Sequence, residues 1–320
     1  MKERNLVLTV TPNPAVDVTY TVDGIELGTS HRVPTPLYRA GGKGLNVSRV
    51  AHQLGHPTFA LATAGGLSGV QLRDDLVASG IEHHLIPVAV STRRSIAMVD
   101  TRNNATSIFN EIGPALQSSE WQALVTAIID QLSGQQMADG VRVPGVLVGS
   151  GSLPEGAPAD FYPGLVTLAH HAGVPAIIDT SGSGILAAAR AGADLLKPNN
   201  HELCAAVGES DIVTAARKLI DLGAQRVLVS VGEEGMLAFE AGVAGYLKAR
   251  LPEPLLGNPT GAGDAAVSAA AVALANGVSD LGEILRRATA WSAAAVLMPG
   301  AGEISSRYGE LAEQLILTNH

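Results

Sequence analysis

Short apolar runs closed by turn residues alternate along this chain with alanine- and leucine-rich stretches whose apolar positions recur at helical spacing. Leu6–Val10 reads as a buried strand, Val47–Leu54 as a helix closed at Gly55, Phe59–Ala64 as a strand, and Gly69–Ser79 as a helix closed at Gly80. The alternation runs on through strand Val146–Gly149, helix Pro158–Ala172 (stopped at Gly173) and strand Ala176–Asp179. Ile185–Arg190, Leu195–Lys197, Glu202–Val207, Val213–Leu222 and Val227–Val231 continue it. Gly263–Ala275 and Ile284–Val296 read as long, nearly apolar helices. Such β-α alternation predicts an α/β fold, a mostly parallel sheet flanked by helices. Ligands in such sheets sit beyond the carboxyl ends of the strands, so the loops that follow strands are where chemistry belongs.

Two segments break the pattern. Residues 18–40 hold Val18–Val22 and Arg32–Tyr38, and residues 91–112 hold Ser95–Asp100 and Ala105–Asn110 around a turn at Arg102-Asn103-Asn104. Both read as short antiparallel strands, the second pair as a hairpin, forming a small sheet apart from the main domain. Gln135–Val143 is polar and reads as a surface excursion.

Composition narrows the class. With 320 residues, 46% of them hydrophobic, the chain has enough apolar material for one large α/β domain with an accessory element, or two small domains. Its 21 Lys and Arg against 30 Asp and Glu give a formal charge of −9, which argues against general nucleic-acid binding and against an anionic membrane surface. A single cysteine, Cys204, rules out an internal disulfide and CxxC metal sites and fits a reducing, cytoplasmic setting. Met1–Arg4 is charged, and the apolar run after it is too short for a secretion signal. No apolar stretch is long enough to span a membrane, so a protein of the cell interior is expected.

Chemistry concentrates in two glycine-rich loops. Asn258-Pro259-Thr260-Gly261-Ala262-Gly263-Asp264 runs into a helix of small residues. Small residues let backbone N–H groups approach a ligand closely, and the helix start adds unpaired donors, so the turn makes an anion hole. Asp264 can accept a proton from a hydroxyl that attacks a phosphate. An ordinary capped turn has the same pattern. Ala40-Gly41-Gly42-Lys43-Gly44-Leu45-Asn46-Val47-Ser48 is the second loop, where Lys43 can meet a phosphate and Asn46 a sugar hydroxyl. A glycine-rich turn with a solvated Lys reads the same way. It is neither a Walker A loop nor a G-x-G-x-x-G dinucleotide loop. Ser150-Gly151-Ser152 lacks the nucleophile-elbow spacing, and the adjacent pairs His83-His84 and His170-His171 point apart, which argues against a zinc site. Asp17, the Arg93-Arg94 pair and Glu202 are weaker signals, equally readable as a turn carboxylate, edge protection and helix-dipole compensation.

These pieces, in this order, resemble the ribokinase-like sugar kinases of the PfkB family, and among them the hexose-phosphate branch. The resemblance runs from Thr9–Asp17 to the helix containing Trp291 and includes Gly41–Ser48, Gly151–Gly156, Asp179–Gly182, Lys197–Glu202, Ser230–Gly235 and Thr260–Asp264. It implies ATP-dependent phosphoryl transfer to a sugar hydroxyl, with Asp264 as general base and the backbone of Gly261, Ala262 and Gly263 stabilising the phosphoryl group. By the same resemblance Asp17, Gly41, Gly42, Asn46 and Ser152 hold the sugar, with Glu111 at the end of the lid. Lys43 and Arg93 neutralise the phosphate it already carries. Lys197, Asn199, Ser230, Gly232 and Gly235 line the nucleotide site, with Glu202 near Mg²⁺. Residues 1–17, 41–90 and 113–320 would form the main domain, and 18–40 and 91–112 a β lid that often doubles as a homodimer interface, letting Arg32 reach the neighbouring subunit's substrate. Fructose 1-phosphate, phosphorylated to the 1,6-bisphosphate, is the favoured acceptor, with tagatose 6-phosphate and fructose 6-phosphate as alternatives. A non-catalytic sugar-phosphate sensor is the reading from another class, and the intact Asp264 and Gly-Ala-Gly turn argue against it.

Overall fold

In the computed structural model, residues 5–103, 105–137 and 140–320 are described. The charged start Met1–Arg4, Asn104 of the expected turn, and part of the Gln135–Val143 excursion lie outside them. In chain order the first elements are β1 (Leu6–Thr11), β2 (Ala15–Val22), β3 (Leu37–Gly41), α1 (Lys43–Gln53), β4 (Thr58–Ala64), α2 (Gly66–Ala78), β5 (His83–Pro87), β6 (Arg93–Asp100) and β7 (Ala105–Asn110). Next come α3 (Ser118–Leu132), β8 (Gln135–Met137), β9 (Gly140–Arg142), β10 (Pro144–Ser150), α4 (Phe161–His171), β11 (Ala176–Asp179), α5 (Ser183–Arg190), β12 (Leu195–Leu196), α6 (Asn200–Val207) and α7 (Ile212–Leu222). The chain closes with β13 (Arg226–Ser230), β14 (Met236–Glu240), β15 (Leu247–Arg250), α8 (Ala262–Ala275), α9 (Leu281–Val296), α10 (Tyr308–Gln314) and β16 (Ile316–Asn319).

The large sheet has the order β16-β15-β14-β13-β12-β11-β10-β1-β4-β5. Every pair from β5 to β13 is parallel, as the alternation predicts. The edge from β13 to β16 is antiparallel; β13, β14 and β15 follow one another with no helix-length connection, which only antiparallel neighbours allow, and Val229–Gly235 carries the strand-turn pattern of the β13–β14 hairpin. Alternate side chains of each strand go to opposite faces. On β1, Val7 joins a core shared with α1, α8 and α9, while Leu8 and Val10 join a second core with α3, α4, α5 and α7. Being covered on both faces, the strands read as continuous apolar runs.

A separate four-stranded sheet, β3-β2-β6-β7, packs through Val16, Val18 and Ala40 onto Leu72 and Leu76 of α2. The expected antiparallel pairing holds for β2 with β3 and for β6 with β7, but β2 and β6 run parallel. The strand expected at Arg32–Tyr38 begins only at Leu37. Pro34 and Pro36 have no N–H to donate to a ladder, which keeps that stretch out of the sheet. Asp17 lies within β2, opposite Arg39 of β3.

Helix α3 is absent from the elements expected above, yet its signals are present in the sequence. Gln117 and Glu120 form a capping box, and Trp121, Leu124, Ile128 and Leu132 make one buried stripe. Among the described residues no helix is long and apolar enough to cross a membrane.

Helix α8 fixes where the site stands. Ala265, Ala266, Ala269, Ala270 and Ala273 are fully buried, so the helix lies close against the sheet, α1 and α9. Ser268 Oγ donates to Val47 O of α1 at 2.9 Å. Ala270→Leu is expected to overpack this contact and lower stability by about 1–3 kcal/mol. A fall in the urea midpoint with an unchanged slope checks it.

Candidate active site

Both glycine loops enter helices through backbone that L side chains rarely adopt. Gly42 has φ +111° and precedes α1, where a Cβ would lie 3.0 Å from Thr11 Cγ2. Gly261 has φ +84° and precedes α8, where a Cβ would lie 2.7 Å from Ala301 Cα. A side chain at either position would strain the turn and push the helix head away from its neighbours. Gly41 faces the Asp17 carboxylate, which occupies the space a Cβ would need.

Asp264 is the third residue of α8 and only 7% exposed. Asn46 Nδ2, from the first turn of α1, donates to its Oδ2 at 2.7 Å. Burial pushes the Asp264 carboxyl up to about 6, against the pull of Lys43, the Asn46 hydrogen bond and Lys197; the Asp179 charge adds to the rise. Burial, reinforced by Asp264, takes Asp17 to about 7, against Arg93, Arg49 and Arg39. Of the expected anion-hole amides, that of Ala262 donates to Pro259 O at 3.1 Å. That of Gly263 lies in the first helical turn, together with the Asp264 amide, which was outside the expected set, and there the helix itself offers no acceptor. Lys197, at the end of β12, is buried, and its Nζ lies 3.1 Å from where a Cβ on Gly263 would stand.

The lid side is held by Asn13, which the sequence reading placed in a motif but did not assign. Its Nδ2 donates to Ser152 Oγ at 3.2 Å, and its O and Oδ1 accept from Arg93 Nε at 3.3 and 3.2 Å. Arg93 also reaches Glu111 O, while Glu111 Oε2 accepts from Arg94 N at 2.7 Å. Ser152 follows a turn at Gly151 whose carbonyl accepts from Tyr162 Oη at 2.6 Å and Thr180 Oγ1 at 3.0 Å. Arg93, Arg94 and Glu111 line a cavity of about 620 Å³.

A larger cavity, of about 760 Å³, is lined by Lys43, Asp179, Lys197, Asn199, Glu202, Ser230, Gly232, Gly235, Gly261, Ala262, Gly263 and Asp264. Asn199 caps α6 by accepting from Glu202 N at 2.8 Å, and Glu202 Oε2 accepts from Asn199 N at 3.0 Å. This leaves Glu202 Oε1 toward Lys43, at 3.8 Å. Lys43 Nζ donates to Asp179 Oδ1 at 3.2 Å and lines this larger cavity. Burial works against the Lys43 charge, but Asp179, Glu202 and Asp264 more than offset it and hold the ammonium above the usual lysine range. Asp179 opens the Asp179–Gly182 block, for which the resemblance implies no residue role; its position at the carboxyl end of a predicted strand is the signal that marks it. Arg32 lies exposed between β2 and β3, away from these clusters, with no hydrogen-bond or ion-pair partner among the described residues.

The family model described as pfkB family carbohydrate kinase matches residues 10–307, so the chain belongs to that family. ATP-dependent 6-phosphofructokinase isozyme 2 of Mycobacterium tuberculosis is 35% identical over 318 residues, covering 96% of this chain and 90% of that protein. The 1-phosphofructokinase of Xanthomonas campestris pv. campestris is 36% identical over 295 residues, 89% of each chain. Among solved structures, the tetrameric inhibited form of phosphofructokinase-2 from Escherichia coli matches with a TM-score of 0.84 at 28% identity, over 96% of this chain and 99% of that one. The chain is thus an ATP-using phosphotransferase with an alcohol group as acceptor, on the ribokinase-like architecture the motifs implied.

If Asp264 serves as the general base that the resemblance implies, its carboxyl near 6, beside that of Asp17 near 7, sets the pH response. The proton-accepting form of Asp264 is lost as pH falls through this range, so kcat/KM is expected to drop on its acid side between about pH 7 and 6, the pair titrating together. Asn46→Ala removes a hydrogen bond that favours the carboxylate and is expected to move the acid limb upward, read from pH–rate profiles of both proteins.

Proposed function

We propose that this chain transfers the γ-phosphoryl group of ATP to the free primary hydroxyl of a fructose phosphate, with fructose 1-phosphate as the first acceptor and fructose 1,6-bisphosphate as product. The observation that carries this reading is the buried Asp264, held by Asn46 at the head of α8, with Asp17 and Arg93 on its lid side. Asp17, Asn46 and Ser152, beside Gly41 and Gly42, orient the sugar hydroxyls. Arg93, with Glu111 at its flank, meets the phosphate the sugar already carries.

Asp264 takes the proton of the attacking hydroxyl as the new O–P bond forms. The bond from the γ-phosphorus to its bridging oxygen breaks, and the electron pair leaves with ADP. Charge on the moving phosphoryl is met by the amides at the head of α8, with Gly261 and Ala262 shaping the turn that aims them. Water is kept from competing by the small sheet over the sugar.

The nucleotide lies in the larger cavity against Lys197, Asn199, Ser230, Gly232 and Gly235. A magnesium ion fits there in the manner usual for nucleotide enzymes, through phosphate oxygens, water and a single carboxylate, Glu202. The Glu202 Oε1 that the α6 cap leaves turned toward Lys43 supports that mode. The ion would neutralise charge on the nucleotide phosphates.

Fructose 6-phosphate is the second acceptor to consider, because one relative is a 6-phosphofructokinase at 35% identity and another a 1-phosphofructokinase at 36%. Both routes give the same bisphosphate. The small sheet also serves, on this reading, as a homodimer interface that brings Arg32 to the neighbouring site. Exposed Leu37, Tyr38, Ile108 and Phe109 on its two edge strands support that role. An ATP-using enzyme with one cysteine suits the reducing cytoplasm.

Coupled ADP-release assays over phosphorylated and free hexoses test the reading. Turnover is expected on fructose phosphates, and preference for free ribose or free fructose would overturn it. Asp264→Asn is expected to lower kcat by about 10²–10⁴-fold, the scale of losing a general base, with ATP affinity little changed. A rate near wild type would remove Asp264 from the mechanism.

A further inference from the structure

The segment between α9 and α10 runs past the heads of both α8 and α1. Asn258 Nδ2, in the turn before α8, donates to Pro299 O at 2.9 Å. Ala301 occupies the space that a side chain on Gly261 would need, its Cα 2.7 Å from the position of a Cβ there. Gly302, at φ +80°, comes so near α1 that a Cβ on it would lie 3.1 Å from Asn46 Oδ1. The segment therefore backs both the glycine turn and the asparagine that holds Asp264. Beyond it, Gln53 of α1 exchanges hydrogen bonds of 2.8 and 3.0 Å with the Ile304 backbone.

The small sheet reaches the same segment through Arg39 of β3. Arg39 forms an ion pair with Glu303 and donates from Nη1 to Ala301 O at 3.3 Å. The two side chains are only 25% and 29% exposed, so water screens the pair less than it would on an open surface. Within the small sheet Arg39 lies opposite Asp17. It thus stands between the carboxylate proposed to hold the sugar and the segment that backs the phosphoryl cradle.

We propose that Arg39 and Glu303 are positioning residues for phosphoryl transfer: their ion pair sets residues 299–303 against Gly261 and Asn46, and so ties the aim of the cradle at α8 to the small sheet over the sugar. The inference rests on the kinase reading above and deepens it. Both residues act through Ala301 and Gly302. A glycine turn has no side chain of its own to fix it, so the backbone packed against it decides where its amides point. Those amides stabilise the moving phosphoryl only while aimed at it, and a small misplacement is costly in rate. The forked guanidinium can hold the Glu303 carboxylate and the Ala301 carbonyl at once, a geometry that the single ammonium of lysine does not reproduce. Arg39 also favours the Asp17 carboxylate by its charge, as Arg93 and Arg49 do, against burial and Asp264. Glu303 is not among these groups, so its substitution isolates the positioning effect.

Wild type, Glu303→Gln, Arg39→Gln, Arg39→Lys and the double variant Arg39→Gln/Glu303→Gln are compared. Glu303→Gln is expected to lower kcat about tenfold, within the roughly 10²-fold that a displacement of about 1 Å can cost. Its Kd for the fructose phosphate that the wild type turns over stays within about threefold, which also shows that the variant folds. The double variant loses no more than Arg39→Gln alone, because the second substitution has no pair left to break. Arg39→Lys keeps a cation for Glu303 and recovers part of the Arg39→Gln loss. The cradle itself is read from the gain in affinity when aluminium fluoride, a mimic of the phosphoryl in transit, is added to ADP. Glu303→Gln reduces that gain and leaves binding of ADP alone within about threefold. An unchanged kcat in Glu303→Gln overturns the proposal, and so do single losses that multiply in the double variant. If the wild type turns over no hexose phosphate, the kinase reading has failed by itself. The aluminium fluoride comparison then decides for the pair: a smaller gain in Glu303→Gln supports the proposal, and an equal gain, or none in the wild type, overturns it.

Discussion

The hydrogen bond of 2.7 Å from Asn46 to Asp264 joins the heads of two helices, and the site is built around it. A carboxylate this enclosed loses hydration, which alone would leave it protonated at neutral pH. Three nearby groups oppose that: the Asn46 amide, Lys43 and Lys197. The result is a carboxyl near 6, ionised at pH 7 yet basic enough to take a proton. The packing below it is part of the same arrangement. Helix α8 can come close enough only because its inner face is alanine, and α1 and α8 can begin where they do only because Gly42 and Gly261 adopt positive φ.

Charge follows the same division. The chain as a whole carries −9, yet its proposed ligands are anions. The conflict is resolved locally: arginines gather on the lid side of Asp264 and lysines on the nucleotide side, with a helix start between them. The acidity belongs to the surface, and the cleft is where it is overridden.

Much of this was legible in the sequence because it is local. Apolar runs spaced by helices specify a parallel sheet, and a glycine turn running into small residues specifies a helix head open to an anion. What escaped depends on partners far along the chain. The direction of Lys43 is set by Asp179, 136 residues away, and no spacing rule for the glycine loop contains that information. Asn13 stood only inside the Thr9–Asp17 block, with no role of its own, until Ser152 and Arg93 converged on it. The parallel pairing of β2 with β6 brings together residues more than seventy positions apart, and local alternation cannot tell it from a hairpin. Helix α3 is a different case: its capping box and apolar stripe were readable, and the reading passed over them.

In the proposed function Asp264 is the junction at which a sugar hydroxyl, on the Asp17 and Arg93 side, meets a phosphoryl group on the Lys197 side. A crystal structure with a fructose phosphate and a non-hydrolysable ATP analogue tests it most directly. The acceptor hydroxyl is expected about 2.6–3.2 Å from an Asp264 carboxylate oxygen, with the γ-phosphorus between that hydroxyl and the nucleotide and the sugar's own phosphate on Arg93. An acceptor hydroxyl out of reach of Asp264, or a γ-phosphate seated on the Arg93 side, would contradict it.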